Sequence, residues 1–289
     1  MKVLELFSGI GGVASALDGA HEVVCALDIS SHVLQAYRLN FDHPTRQANL
    51  ATLSVEQLAA YDADFWWMSP PCQPYTVRGL QNDLDDHRSK SLVHLMACLS
   101  EIQPERFALE NVAGFEGSRA RELVVETLEG LGYEVRQRVL CPTDLGTPAR
   151  RARYYLIASR VGMAPTPEPI VSPRRVPDML EADPSDELWV PQEILEKHGR
   201  GMRILDPEDP EIELNTFTSA YGKTWRSAGS YLRFGERVRR LSATEIMATL
   251  GFAPGYVFPE EFTRRQRYKY AGNSLSVVAV REVLRPLLE

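Results

Sequence analysis

Short apolar segments alternate with helical stretches along the first half of the chain, and that alternation constrains the fold more than any other feature. Strand-like runs at 3–7, 23–27, 65–68, 106–109, 135–140 and 154–158 are separated by helical patterning that starts at Gly12 and again at 31–40. Helices between successive strands lead to a mostly parallel sheet covered on both faces, a doubly wound α/β domain. From Val161 the texture changes. Pro165, Pro167, Pro169, Pro173 and Pro177 punctuate a region reaching about Glu236 without sustained alternation, as in a smaller, loop-rich lobe. Regular patterning returns at Ser242-Ala243-Thr244-Glu245, whose Ser and Glu form a capping box, and 275–288 reads as a final amphipathic helix. The expected organisation is a first domain over 1–160, a lobe over 161–236 and a C-terminal segment over 237–289.

Composition sets compatible limits. A chain of 289 residues, 44% hydrophobic, can bury a full core for one large domain and a smaller lobe. No apolar run approaches the roughly 18 to 20 residues that span a bilayer, and Met1-Lys2-Val3-Leu4-Glu5 enters a strand at once, so neither a membrane span nor a signal peptide is expected. Four cysteines without close pairing offer neither a disulfide framework nor a metal spacing, and a reducing, cytoplasmic setting is expected. The formal net charge of −7 argues against nonspecific binding to nucleic acid. Basic residues nevertheless cluster at Arg150-Arg151-Ala152-Arg153, Arg174-Arg175, Arg237-Val238-Arg239-Arg240 and Arg264-Arg265-Gln266-Arg267, which would suit a basic cleft on an acidic body.

Two loops carry chemistry. The first strand runs into Gly9-Ile10-Gly11-Gly12-Val13-Ala14, a Gly-x-Gly-x-x-Ala pattern, and Asp28 ends the second strand about 19 residues on. Glycines let backbone approach a ligand closely, and a carboxylate there accepts hydrogen bonds from ribose hydroxyls, so the domain is Rossmann-like. On this segment alone a nicotinamide dinucleotide is as good a cofactor as any other. The second loop, Met68-Ser69-Pro70-Pro71-Cys72-Gln73-Pro74-Tyr75-Thr76, follows the apolar strand at 65–68 and holds Cys72 between prolines that fix φ on both sides. A thiol aimed by stiff backbone is built as a nucleophile, and Leu109-Glu110-Asn111-Val112 places a carboxylate at another strand end. Cys25, Cys98 and Cys141 lack such a loop and read as structural thiols.

Pro71-Cys72-Gln73 and Glu110-Asn111-Val112 together resemble the cytosine-C5 methyltransferase family. The resemblance covers almost the whole chain, from Leu6-Phe7-Ser8-Gly9-Ile10-Gly11-Gly12 through Arg151-Ala152-Arg153 to Gln266-Arg267-Tyr268 and Gly272-Asn273-Ser274. Within the family the chain is most similar to the Dnmt2 branch of tRNA methyltransferases, in the block around Cys72, in Gly146-Thr147-Pro148, and in Phe217-Thr218 with Tyr221-Gly222. It departs from that branch at Thr216, where a Cys is usual, and from the family at Ala149, where Gln is frequent.

The resemblance implies S-adenosylmethionine as cofactor. Phe7, Gly9, Ile10, Gly11 and Gly12 would lie near its methionine part, Asp28 and Ile29 at the ribose, and Asn49 and Leu50 near the adenine. Ser69, Asn273 and Ser274 would complete the pocket, the C-terminal segment returning to the first domain. It also implies four catalytic residues. Cys72 would add to C6 of cytosine, because C5 becomes nucleophilic only after such an addition, and Glu110 would protonate or hold the N3 and N4 edge. Arg151 and Arg153 would favour the thiolate and grip the base. Modifying a base requires extruding it, which is easiest from an unpaired loop, and 161–236 shows no obvious helix or ribbon for reading a major groove. The expected substrate is therefore tRNA, in its anticodon loop by resemblance, with DNA second; the reading from a different class is a catalytically silent nucleic-acid-binding protein.

Overall fold

All six strands expected from the alternation are present in the computed structural model, which describes residues 1–76, 82–226 and 228–288. The chain divides into two compact units: Met1–Leu140 with Ala152–Glu168 and Val280–Glu289, and Cys141–Arg151 with Pro169–Ala279.

In the first unit the order is β1 (Lys2–Leu6), α1 (Gly12–Leu17), β2 (Glu22–Asp28), α2 (Ser31–Arg38), β3 (Thr45–Gln47), α3 (Val55–Ala59) and β4 (Phe65–Met68). It continues through α4 (Lys90–Ile102), β5 (Arg106–Val112), α5 (Arg119–Gly130), β6 (Glu134–Leu140) and β7 (Arg153–Ser159). The seven strands form one sheet in the order β3-β2-β1-β4-β5-β7-β6, with β7 antiparallel to both its neighbours and the first five parallel. Leu27, Leu6, Met68 and Leu109 pair in one row across four strands, and all four are fully buried. The next residue on each strand is Asp28, Phe7, Ser69 or Glu110, so the register sets four expected site residues along one rim. The strand order reverses between β1 and β4, the position where open α/β sheets bind ligands beyond their carboxyl ends.

The second unit holds α6 (Gln192–His198), β8 (Arg203–Leu205), β9 (Ser230–Phe234), β10 (Arg237–Arg240), α7 (Ala243–Thr249) and α8 (Arg264–Asn273), and α9 (Val277–Leu288) closes the chain. Strands β8, β9 and β10 make a three-stranded sheet, with β9 and β10 joined as a hairpin through Gly235 at φ 57°. This ribbon was not apparent in the sequence, where Arg237-Val238-Arg239-Arg240 reads as a basic cluster. Fully buried Arg239 donates to both carboxylate oxygens of Glu245, at 2.8 and 2.7 Å. Glu245 also accepts the backbone N–H of Ser242 in the expected capping box and that of Glu181. With the Tyr221–Tyr268 edge contact at 5.1 Å, these bonds draw 237–279 into the second unit. The division therefore differs from the expected 237–289 segment: only the part of α9 from Val280 groups with the first unit.

One charged side chain interrupts the core of the first unit. Glu5, on β1 and fully buried, accepts from the Tyr37 hydroxyl at 2.8 Å, so it ties the central strand to α2. Burial pushes its carboxyl up from 4.5 to about 8. The folded chain therefore holds a proton between those pH values that the unfolded chain releases. Stability should fall by up to about 1.4 kcal/mol per pH unit through that window from this group, with no further change from it above about 8. Denaturant unfolding of wild type and Glu5→Gln between pH 5 and 9 measures it. The variant should show a shallower slope below pH 8 and the same slope above.

Candidate functional site

The loop after β1 is built from backbone that few residues tolerate. Phe7, Gly9 and Gly11 have φ of 59°, 54° and 89°. For Phe7 the left-handed region is strained by about 1–3 kcal/mol, the kind of strain that collects where a fold grips a ligand. At Gly11 a Cβ would lie 2.3 Å from the Phe41 ring, so only glycine fits. The Asp28 carboxylate accepts from Gly9 N–H at 3.0 Å and Ser30 N–H at 2.8 Å, one bond on each oxygen, which leaves each a lone pair. Burial pushes its carboxyl above the usual range against those two bonds. Ser8 Oγ is buried with no hydrogen-bond partner among the described residues. Ile29, beside Asp28, is 66% exposed, whereas Ile10, Gly12 and Leu50 are buried. Asn49 Oδ1 accepts Ala51 N–H at 3.1 Å and so shapes the turn after β3. Ser69 Oγ accepts from Trp67 Nε1 at 2.7 Å.

Cys72 lies half-buried four residues beyond β4 and starts a short 3-10 turn in which Tyr75 N–H donates to its carbonyl at 3.0 Å. The end of β5 locks that loop in place. Buried Asn111 donates from Nδ2 to Pro70 O at 3.2 Å. Gly114 lets the Tyr75 carbonyl approach to where a Cβ would stand only 2.6 Å away, and the Tyr75 and Phe115 rings meet edge-on at 4.8 Å. The same six-residue stretch, 110–115, that presents Glu110 thus also fixes the loop that presents Cys72. Glu110 pairs with Arg153, Nε to Oε1 at 3.3 Å, both side chains being largely buried. Because β7 runs antiparallel, its first residue, Arg153, arrives at the end of β5, opposite Val112.

Arg88 is a member of this neighbourhood that sequence reasoning did not single out. Its guanidinium donates to both oxygens of Asp86, at 2.8 and 2.6 Å. Those bonds hold the Asp86 carboxyl far below the usual carboxylate range. Arg88's own pKa is raised first by the bonds to Asp86 and last by the charge of Cys72, which puts the cation within electrostatic reach of the thiol. The Asp-x-Arg spacing was the available signal. Burial pushes the thiols of Cys25 and Cys98 up, away from reactivity.

Arg151 belongs to the second unit and takes a different direction from Arg153. Buried, it donates to Gly272 O at 3.3 Å and to Ser274 O, and its N–H meets Cys141 Sγ at 3.3 Å. Its guanidinium thus braces the end of α8, where Asn273 is exposed and Ser274 buried. Gly272 itself packs against the backbone of Thr218, which a Cβ would approach to 2.6 Å, so two of the blocks shared with the Dnmt2 branch fit against each other. Thr216 Oγ1 donates to Arg150 O at 2.6 Å.

The model of the family described as C-5 cytosine-specific DNA methylase matches residues 1–197. The human tRNA (cytosine(38)-C(5))-methyltransferase is 28% identical, with 100% of this chain and 99% of that protein covered. A DNA (cytosine-5)-methyltransferase of Dictyostelium discoideum is 27% identical, with 100% and 94% covered. The crystal structure of Schizosaccharomyces pombe Dnmt2 superposes with a TM-score of 0.87 at 27% identity over 99% of both chains. On these matches the chain belongs to the C-5 cytosine-specific DNA methylase family and is a cytosine-C5 methyltransferase.

Proposed function

We propose that the chain methylates C5 of a cytosine in the anticodon loop of a tRNA, with S-adenosylmethionine as donor and Cys72 as covalent catalyst. The observation that carries the chemistry is the lock between the two loops: Asn111 on Pro70 and Gly114 beneath Tyr75 hold Cys72 and Glu110 in a fixed relation before any substrate arrives. The Cys72 thiolate adds to C6 while Glu110 gives or shares a proton at N3, which leaves C5 nucleophilic. Once C5 is methylated, loss of its proton expels Cys72 and restores the ring. Arg153 orients Glu110, and Arg88 favours the thiolate. Arg151 acts within the second unit, where it holds the carbonyls of Gly272 and Ser274.

The cofactor, when bound, supplies an electrophilic methyl group on sulfonium. The residues of the loop after β1 fit it: Asp28 keeps acceptor capacity for ribose hydroxyls, exposed Ile29 offers an apolar surface to a base, and buried Ser8 Oγ stands ready for a polar partner. Phe7, Gly9, Gly11 and Ser69 shape that pocket from their backbones.

The tRNA substrate is supported by the names of the human and Schizosaccharomyces pombe relatives, each of which covers the whole chain. The β9–β10 ribbon, with Arg233 and Arg237 exposed, favours DNA as the second reading, since such a ribbon can enter a major groove.

A substrate carrying 5-fluorocytosine, which cannot lose its C5 substituent as a proton, should trap a stable adduct visible as a mass shift of the protein. Cys72→Ala should show none; an adduct that survives the change would identify another nucleophile.

Asp28→Ala removes charge-assisted hydrogen bonds worth about 1.5–3 kcal/mol, so S-adenosylmethionine should bind about ten to a hundred times more weakly by calorimetry. Unchanged affinity would place the ribose elsewhere.

With labelled cofactor, a single cytosine in unfractionated tRNA should be methylated far faster than any site in duplex DNA. Glu110→Ala should abolish most of that activity and leave tRNA binding largely intact. Efficient labelling of a DNA duplex with tRNA inert would select the second reading.

A further inference from the structure

Where edge strand β6 meets β7 and α9, the first unit contains a cavity of about 210 Å³ that the methyl-transfer chemistry leaves unused. Arg136 and Arg138 of β6 pair with Ile157 and Tyr155 of β7, so these four side chains share one face of the sheet, and Val283 and Pro286 of α9 stand across from them. The segment at 163–166 closes the remaining side. Arg136 holds that wall, donating to Ala164 O at 2.6 Å and Thr166 Oγ1 at 3.3 Å, with Glu134 taking its Nε at 2.9 Å. Ala164 N–H also donates to the Pro286 carbonyl at 2.9 Å.

Arg138 is in a different situation. Its guanidinium makes no hydrogen bond among the described residues, and its ion pair with Glu282 is long, at 3.9 Å, with the side chain 32% exposed. Glu282 is shared with Arg285, which approaches it at 3.2 Å. Arg136 and Arg285 lie 2.7 and 3.2 Å from their carboxylates, so among the described residues Arg138 is the least closely paired of the three guanidinium groups. A planar fork of open donors matches a carboxylate. The loosely paired Arg138 charge fits a monoanion, and the Ile157, Val283 and Pro286 walls fit an apolar body. Apolar cavities of about 150 Å³ hold benzene, so the space is that of one ring with its carboxylate.

We propose that this cavity is a binding site for a small organic monoanion, a carboxylate on a ring-sized apolar body, held by Arg138. Benzoate is the probe. Titrated into the full-length protein, it should give saturable heat and a concentration-dependent rise in melting temperature. Benzyl alcohol, with the same ring and no charge, and inorganic phosphate, with charge and no ring, should each bind at least tenfold more weakly. Arg138→Met keeps the apolar stem and leaves Glu282 its partner Arg285; it should lose at least tenfold in benzoate affinity while methyl transfer continues. Val283→Phe, which fills the cavity from the other wall, should abolish binding even if Arg138→Met does not fold. Benzoate affinity unchanged in the folded variants, absence of benzoate binding to the wild type, or equal binding of benzyl alcohol or phosphate, overturns the assignment.

Discussion

The alignment of four parallel strands in one register is the constraint on which the site depends. Leu27, Leu6, Met68 and Leu109 lie in one row with no exposed surface, and a slip by one residue would exchange the side chains packed on the two covered faces of the sheet. Four of the expected site residues are attached one step beyond that row. The precision of Asp28, Phe7, Ser69 and Glu110 relative to each other is therefore inherited from hydrophobic packing, which is cooperative, and not from the loops, which are not. The loops add local locks. Asn111 on Pro70 and the missing Cβ of Gly114 convert a proline-stiffened turn into part of the sheet's own rim.

Much of this was legible in the chain, for identifiable reasons. The strands were visible because strands buried on both faces read as continuous apolar runs, as parallel 65–68 and antiparallel 154–158 do. The capping box at Ser242 was visible because its side chains act within one turn. The β9–β10 ribbon was hidden because its interior position is filled by Arg239, whose charge is cancelled by Glu245 from outside the ribbon. The different directions of Arg151 and Arg153 could not be read from a two-residue spacing, since one enters a strand and the other reaches carbonyls more than a hundred residues away. Glu5 escaped notice for a similar reason. It looks like an ordinary polar residue in an apolar strand until Tyr37 of α2 is placed against it.

The buried ionic groups divide by what their partners are. Arg239 and Glu245 answer each other and bind the second unit's hairpin to its helix, at a position where loss of either would strand the other. Glu110 and Arg153 pair at the rim, where the start of β7 meets the end of β5. Arg88 is anchored at both Asp86 oxygens, so its charge is held in place within electrostatic reach of Cys72.

Glu5 has a consequence for the molecule as an object in solution. A carboxyl that titrates at about 8 is mostly neutral at pH 7, so the native protein carries one negative charge fewer than the formal −7 counted from its residues. Folding at neutral pH is then a reaction that consumes a proton from the medium. Native and denatured forms of identical mass and composition differ in electrophoretic mobility by that charge as well as by shape, and the heat of folding depends on the ionisation enthalpy of whichever buffer supplies the proton.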